Sequence, residues 1–391
     1  MQNRASIKEV QSVFSHDSTK QYSLASQHIL TQIKDCHTYK KGYHLYQCNE
    51  KTCGELKQMY HSCGNRHCLF CGSMKREIWM EDRKNELLPT PYYHVVFTLP
   101  HELNGLILGN RKTMFKAMFD HCSKTLINHG NNADFLGAEV GITMILHTWG
   151  QDLGFHPHVH CIVSGGGSKN GKWVEAKREN SKFLFPTISL SKMFKAMMIK
   201  EIKSNIDLKW EGLEKDIIIK KAQEKTWNVY AKAPFGGPAQ VIEYLGRYTH
   251  KVAISRHRIV KVGENDIIFT YKDYADHSKT KQMTLSKTEF LRRFELHLLP
   301  KGFVKIRHTG FLRNRFKSQR INELRASIEL AEAKPKVAIP VTIMLLEKYG
   351  KDVSICPCCK IGKLELIADT RPKRAEKTIK IKTMTKEPSP E

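Results

Sequence analysis

The segment from Cys36 to Cys71 constrains the fold more than any other part of the chain. It holds six of the eleven cysteines, together with His, Gly and Lys and few aliphatic residues. So little apolar material cannot bury a conventional core, and the segment needs a metal to fold. Crowded thiols in an odd total number point to metal coordination in a reducing compartment rather than to disulfides. Cys48-x4-Cys53 and then Cys63-x4-Cys68-x2-Cys71 supply knuckle-like pairs at a separation compatible with tetrahedral zinc. The spacing predicts Cys48, Cys53, Cys68 and Cys71 around one structural zinc, with Cys36, His44, Cys63 and His67 as a second set. Such a module would present Lys57, Arg66, Lys75 and Arg76 to DNA, or serve folding alone. Near the other end, Cys356-Pro357-Cys358-Cys359 is half a zinc site with no second pair after it.

A chain of 391 residues has room for two or three domains. Its 64 Lys and Arg against 39 Asp and Glu leave a formal charge of +25, a field that attracts polyanions and makes nucleic acid the default partner. No apolar run approaches the ~20 residues needed to cross a bilayer, and the N-terminus lacks a secretory pattern, so a soluble intracellular protein is expected.

Along the chain, residues 1–35 offer a short helix and no evident role. A helix is expected from Met74 to Leu88, then Pro89-Thr90-Pro91 as a linker, then a buried strand over Tyr93–Leu99. Gly141–Trp149 and His158–Ser164 read as an antiparallel hairpin turning through Gly150–Gly154, closed by Gly165-Gly166-Gly167. Further helices are expected at Lys192–Asn205, from about Ala239, and at Thr288–His297, with strands at Val252–Ser255 and Ile267–Tyr271. From Arg371 the composition implies disorder. The expected domains are thus residues 1–88, 89–300 and 301–370, with a tail at 371–391.

Two constellations carry chemistry. In His156-Pro157-His158-Val159-His160, strand alternation puts His158 and His160 on one face, where two imidazoles can hold a divalent ion and leave positions open for water and a phosphate oxygen. A third ligand should come from the paired strand or a nearby helix. His147 and Gln151 have the same parity, and imidazole is the better donor. Downstream, Tyr244 and Tyr248 share one face of a helix, and Arg247 and His250 beside them favour a phosphate over a dry core. A tyrosine oxygen can attack phosphorus and conserve the bond energy in a phosphotyrosine link. Between Arg307 and Arg320, the charges Arg307, Arg313, Arg315, Lys317 and Arg320 interleave with His308, Phe311 and Phe316, a pattern suited to phosphate contacts and base stacking.

This ordered set resembles the HUH endonucleases, and within them the two-tyrosine rolling-circle transposases of the insertion sequence 91 type. Phe97-Thr98-Leu99 looks like the first family motif and His158-Val159-His160 like the His-hydrophobic-His motif. Tyr244 to His250 looks like the two-tyrosine motif, Lys305 to Leu312 like the C-terminal signature, and Ser62 to Cys68 like the zinc-domain string. The resemblance implies an α+β fold: an antiparallel-sheet nuclease domain with flanking helices, preceded by a small zinc-binding domain and followed by a basic C-terminal region. It implies a cytoplasmic, nucleoid-associated enzyme that uses Mg or Mn at the histidines. Its substrates would be single-stranded DNA at the ends of a mobile element and target DNA, joined through a 5′-phosphotyrosine intermediate. The all-nitrogen ligand set suits Mn or another transition ion better than Mg. A plasmid replication initiator or relaxase would share this chemistry; a non-enzymatic zinc regulator would explain charge and cysteines but leave the histidines and tyrosines idle.

Overall fold

Alternating burial along two long strands sets the architecture. The computed structural model describes residues 4–176, 184–232, 253–333 and 340–370, together with Gln240, Ile242, Glu243 and Gly246. In chain order the strands are β1 (Tyr43–Cys48), β2 (Leu56–Tyr60), β3 (Tyr92–Thr98), β4 (Glu139–Trp149), β5 (Phe155–Lys169), β6 (Lys172–Glu175), β7 (Val229–Lys232), β8 (Ile259–Val262), β9 (Asp266–Asp273), β10 (Lys279–Ser286), β11 (Ile306–Gly310) and β12 (Leu364–Asp369). Every strand pairing among the described residues is antiparallel, and helices alternate with the sheets, so the chain is α+β as expected.

The chain divides into two units, each discontinuous in sequence: residues 1–34 with 64–339, and residues 35–63 with 340–391. The larger unit is built on a sheet of order β11-β4-β5-β3-β7, with β6 beside β5. One face carries Val95, Phe97, Ile142, Met144, Leu146, Val159, Cys161 and Val163, all buried in the main core with helices Arg111–Asn131 and Thr187–Ser204. The Phe97 and Phe194 rings meet edge to face there, with centroids 4.9 Å apart. Because strand side chains alternate, the residues between them point the other way. On that side Tyr92, Ile145 and Ile162 pack with Met80 of helix Ser73–Lys84 and with Ile242.

The expected hairpin is present, with β4 and β5 in register from Glu139↔Ser168 to Trp149↔Phe155. The glycine triplet, however, does not close it. Gly165, Gly166 and Gly167 lie inside β5, where a Cβ on Gly166 would come 2.3 Å from the Trp173 ring and one on Gly167 would come 2.9 Å from Ala138 Cβ. They are glycines because neighbours approach that closely.

The N-terminal segment has more structure than one short helix. Helices Ile7–Val13 and Leu24–Lys34 are both formed, the first by a capping box in which Ser6 Oγ accepts the Glu9 amide at 3.2 Å and the Ser6 amide donates to Glu9 Oε2 at 2.6 Å. Val10, Val13, Phe14, Leu30 and Ile33 are buried, Phe14 edge-on to Phe294 of helix Lys287–Glu295 with ring centroids 5.4 Å apart. That helix covers the antiparallel meander β8-β9-β10. Ala253 and Ile254, expected in a strand, are buried in a bend instead.

The smaller unit is an antiparallel sheet of order β12-β1-β2, in which His44 pairs with Asp369. Its strands expose several large apolar side chains, such as Leu56, Met59 and Leu366, which is what a unit with little core of its own looks like.

Candidate metal and DNA site

β4 and β5 place three histidines on one sheet face. His147 pairs directly with His158 across the strands, and His160 follows two residues on. One ligand nitrogen from each of His147, His158 and His160 lies within 4.8 Å of the other two. His147 and His160 are buried while His158 is partly exposed, so the cluster opens on one side. Gln151, the other candidate third ligand, instead offers its amide nitrogen to Tyr274 Oη at 3.4 Å, and its carbonyl accepts from Arg258.

Hydrogen bonds engage the Nδ1 atoms of His158 and His160. His158 Nδ1–H donates to the His156 carbonyl at 2.7 Å, which leaves Nε2 as its lone-pair atom. His160 Nδ1 meets His94 Nε2 at 2.8 Å, with the two rings stacked 12° from parallel. A proton on His160 Nδ1, donated to His94, would leave His160 Nε2 to ligate; carboxylates and carbonyls usually hold metal-bound histidines in this way. Burial pushes His158 and His94 down to about 4, and His160 well below its usual range, with the His158 and His94 charges adding to the effect. Neutral imidazole is the form that binds metal. The donor set therefore fits a divalent transition ion held by His147, His158 and His160. His94 carried no signal of its own in the sequence, although it shares its strand face with Thr98, opposite His158.

Trp149 stacks on His147 with centroids 4.4 Å apart and forms the wall between the histidines and a cavity of about 440 Å³. Arg66, Lys75 and Lys305 reach that cavity. Lys305 Nζ lies 4.8 Å from the centre of the Trp149 ring, and burial with the nearby Arg66 charge pushes its ammonium down to about 7.

Of the tyrosine motif, Tyr244, Arg247, Tyr248 and His250 lie outside the described residues, as does the tail at 371–391. Their described neighbours Gln240, Ile242, Glu243 and Gly246 are helical. Ile242 is buried with Ile145 and Ile162 on the histidine face, and a Cβ on Gly246 would come 2.0 Å from Met80 Sδ.

The cysteines sort differently from the order expected. Cys48 and Cys53 group with Cys356 and Cys359, all four within 4.8 Å of one another in the smaller unit. The sulfurs accept amide hydrogen bonds, Cys36 from Cys63 at 3.3 Å and Cys359 from Gly362 at 3.3 Å. Amides of Ile361 and Gly362 pull the Cys359 thiol down to about 7. The half-site near the C-terminus thus has its second pair, some 300 residues upstream rather than downstream. The two expected histidines are elsewhere. His67 is buried and pushed to about 3 by that burial, and its Nε2 accepts the Leu299 amide at 3.1 Å while Nδ1 donates to Asn65 at 3.3 Å. His44 lies with His61 and Asp369, its Nε2 3.4 Å from the carboxylate.

The basic C-terminal stretch is partly structural. His308 sits between Arg83 (3.1 Å) and Thr143 (3.0 Å) and lines an open groove, while Phe311 is buried with its ring 6.0 Å from that of Trp173. Arg307 lies 4.3 Å over the Phe119 ring and 3.8 Å from Asp120. It nonetheless lines an open groove with Lys124 and Arg313. Arg315 stacks on exposed Phe316 at 5.0 Å. Of the cations near the zinc segment, Arg66 donates to the Phe303 carbonyl at 2.5 Å, Lys75 to Gly64 at 3.2 Å, and Arg76 pairs with Glu77.

Two family models match the chain: a "Transposase zinc-binding domain" of the insertion sequence 91 type over residues 7–99, and "Putative transposase", the two-tyrosine type, over residues 141–320. "Putative transposase y4qJ" of Sinorhizobium fredii is 36% identical over 363 residues, covering 88% of this chain and 89% of the relative. The chain belongs to the insertion sequence 91 transposase family. A second relative of this transposase, "Transposase for insertion sequence element IS801" of Pseudomonas savastanoi, is 29% identical over 340 residues, covering 84% of this chain and 80% of the relative. No solved structure matches it. The transposase acts on DNA, carries a zinc-binding domain, and has no helix among its described residues long and apolar enough to cross a membrane.

Proposed function

We propose that this transposase nicks and rejoins single-stranded DNA through tyrosine, as in rolling-circle transposition. The observation that carries the proposal is the convergence of His147, His158 and His160 on one open sheet face. In this reading they hold a divalent ion, Mn or Mg, whose chemistry is to polarise the scissile phosphate. His158 and His160 keep their Nε2 lone pairs outward because His156 and His94 engage their other nitrogens. Tyr244 or Tyr248 attacks phosphorus, forming a 5′-phosphotyrosine and releasing a 3′-hydroxyl, and the reverse attack by a 3′-hydroxyl rejoins the strand without ATP. Arg313, Arg315 and Arg307 would track the phosphate backbone, along with Arg247 and His250.

The test is formation of a covalent, phenol-stable adduct between the purified protein with Mn and an element-end oligonucleotide labelled at its 3′ end, in the strand downstream of the nick. The adduct should form with the intact protein, disappear in the Tyr244→Phe, Tyr248→Phe double variant, and be lost in His158→Ala. Full cleavage by His158→Ala would sink the metal assignment.

A further inference from the structure

The cavity behind Trp149 is not needed to hold a metal, yet it shares a wall with the histidines. Its apolar sides come from Trp149, Leu299, Phe303 and Ile306, and its cations are Arg66, Lys75 and Lys305, with no carboxylate among the described residues that line it. At about 440 Å³ it falls in the size range of pockets that hold small ligands. An apolar slot rimmed by cations suits one chemical class well, a nucleotide, whose base has a flat apolar face and whose phosphate is an anion. Continuity with the nicking site is direct, because Trp149 touches His147 on one side and Lys305 on the other.

We infer that this cavity takes one nucleotide of the single strand beside the scissile phosphate, its base between the apolar walls and its phosphate on Lys305, Lys75 and Arg66. The inference rests on the single-strand chemistry proposed above and adds a place where the strand is gripped. It also gives the Gly64–His67 loop, ahead of Cys68, a use besides folding. Arg66 is braced by the Phe303 carbonyl and His67 by the Leu299 amide, so the loop is fixed to the segment that leads into β11.

Binding can be read apart from cleavage. The Tyr244→Phe, Tyr248→Phe double variant, which cannot form the covalent link, is titrated with an oligo-dT strand carrying a single 2-aminopurine, moved base by base along the strand. The expected result is one register in which the probe's fluorescence changes on binding. Adding Lys305→Gln or Lys75→Gln should weaken affinity about tenfold or more and flatten the slope of log affinity against log salt by roughly 0.7 for each phosphate no longer neutralised. Val304 is exposed and lines the same cavity, so Val304→Trp should abolish the fluorescence change in a folded protein while leaving the salt slope intact. Unchanged fluorescence in every register, or lysine variants that keep wild-type affinity and slope, would overturn the inference. Either result would leave tyrosine nicking standing, which fails if the intact protein forms no adduct or if the adduct persists in the double tyrosine variant.

Discussion

His147 and Gln151 are indistinguishable by strand parity, but the register sets His147 directly opposite His158. The bulge between His147 and Trp149 takes the chain out of step after His147, so Gln151 falls in the turn and pairs with other groups. His147→Ala should therefore weaken Mn binding by about 10–100-fold or more, the scale on which even outer partners of a metal matter, and abolish nicking. Gln151→Ala should leave both near wild type; calorimetric titration with Mn and an oligonucleotide nicking assay check the pair. Strand parity made His158 and His160 legible from the sequence. It had no means of showing that His94, on a strand some sixty residues earlier, supports His160, because that contact exists only once β3 and β5 pair. Phe311 was illegible for a related reason: a pattern of cations and aromatics looks the same whether a ring faces bases or packs edge-on to Trp173. Another buried histidine, His297, bears on pH. Its Nε2–H donates to the Leu153 carbonyl at 3.0 Å and its Nδ1 faces Thr148 Oγ1 at 3.2 Å, and burial pushes it down to about 4. A folded value below the unfolded one means its contribution is complete above about pH 6.5 and is lost as pH falls from there toward 4. In denaturant titrations, His297→Gln should remove up to about 1.4 kcal/mol per pH unit from the slope of stability within that window.

At the scale of elements, β11 shows how a short edge strand is fixed. It pairs with β4 from Ile306↔Ile145 to Gly310↔Gly141, and it ends at a left-handed residue, Gly310, with φ +65°. A Cβ there would come 1.7 Å from the Val140 carbonyl, and one on Gly141 would come 2.4 Å from the Phe311 ring. Gly310→Ala should cost about 3 kcal/mol or more through backbone strain and overpacking, seen as a lowered thermal midpoint. Some elements were legible because their apolar periods are strong, and Ser73–Lys84, Asp266–Asp273 and Lys287–Glu295 fall within a few residues of their expected places, whereas the long helix Arg111–Asn131 was not expected. The glycine triplet was not, since glycine marks a loop and a crowded strand equally, and only the closeness of Trp173 and Ala138 separates them.

At the scale of the whole molecule, the quartet of Cys48, Cys53, Cys356 and Cys359 joins parts of the chain that a linear reading keeps apart. Bound zinc should fall by about one per chain in Cys356→Ser by elemental analysis, with the same loss in Cys48→Ser, because this quartet closes a tetrahedral shell by itself. If zinc were held by Cys48, Cys53, Cys68 and Cys71, Cys356→Ser would lose none. The quartet containing Cys356 also has an order of assembly. Cys53 and Cys356 are 303 residues apart, so on the ribosome the first pair waits roughly 15–60 s for the second at 5–20 residues per second. Until then β1 lacks its partner β12, and Cys48 and Cys53 are an open pair. A message cut short between residue 333 and Cys356 yields a protein that retains the histidine-bearing strands but leaves this quartet unclosed, so the smaller unit marks a chain that has been translated through its last zinc ligands.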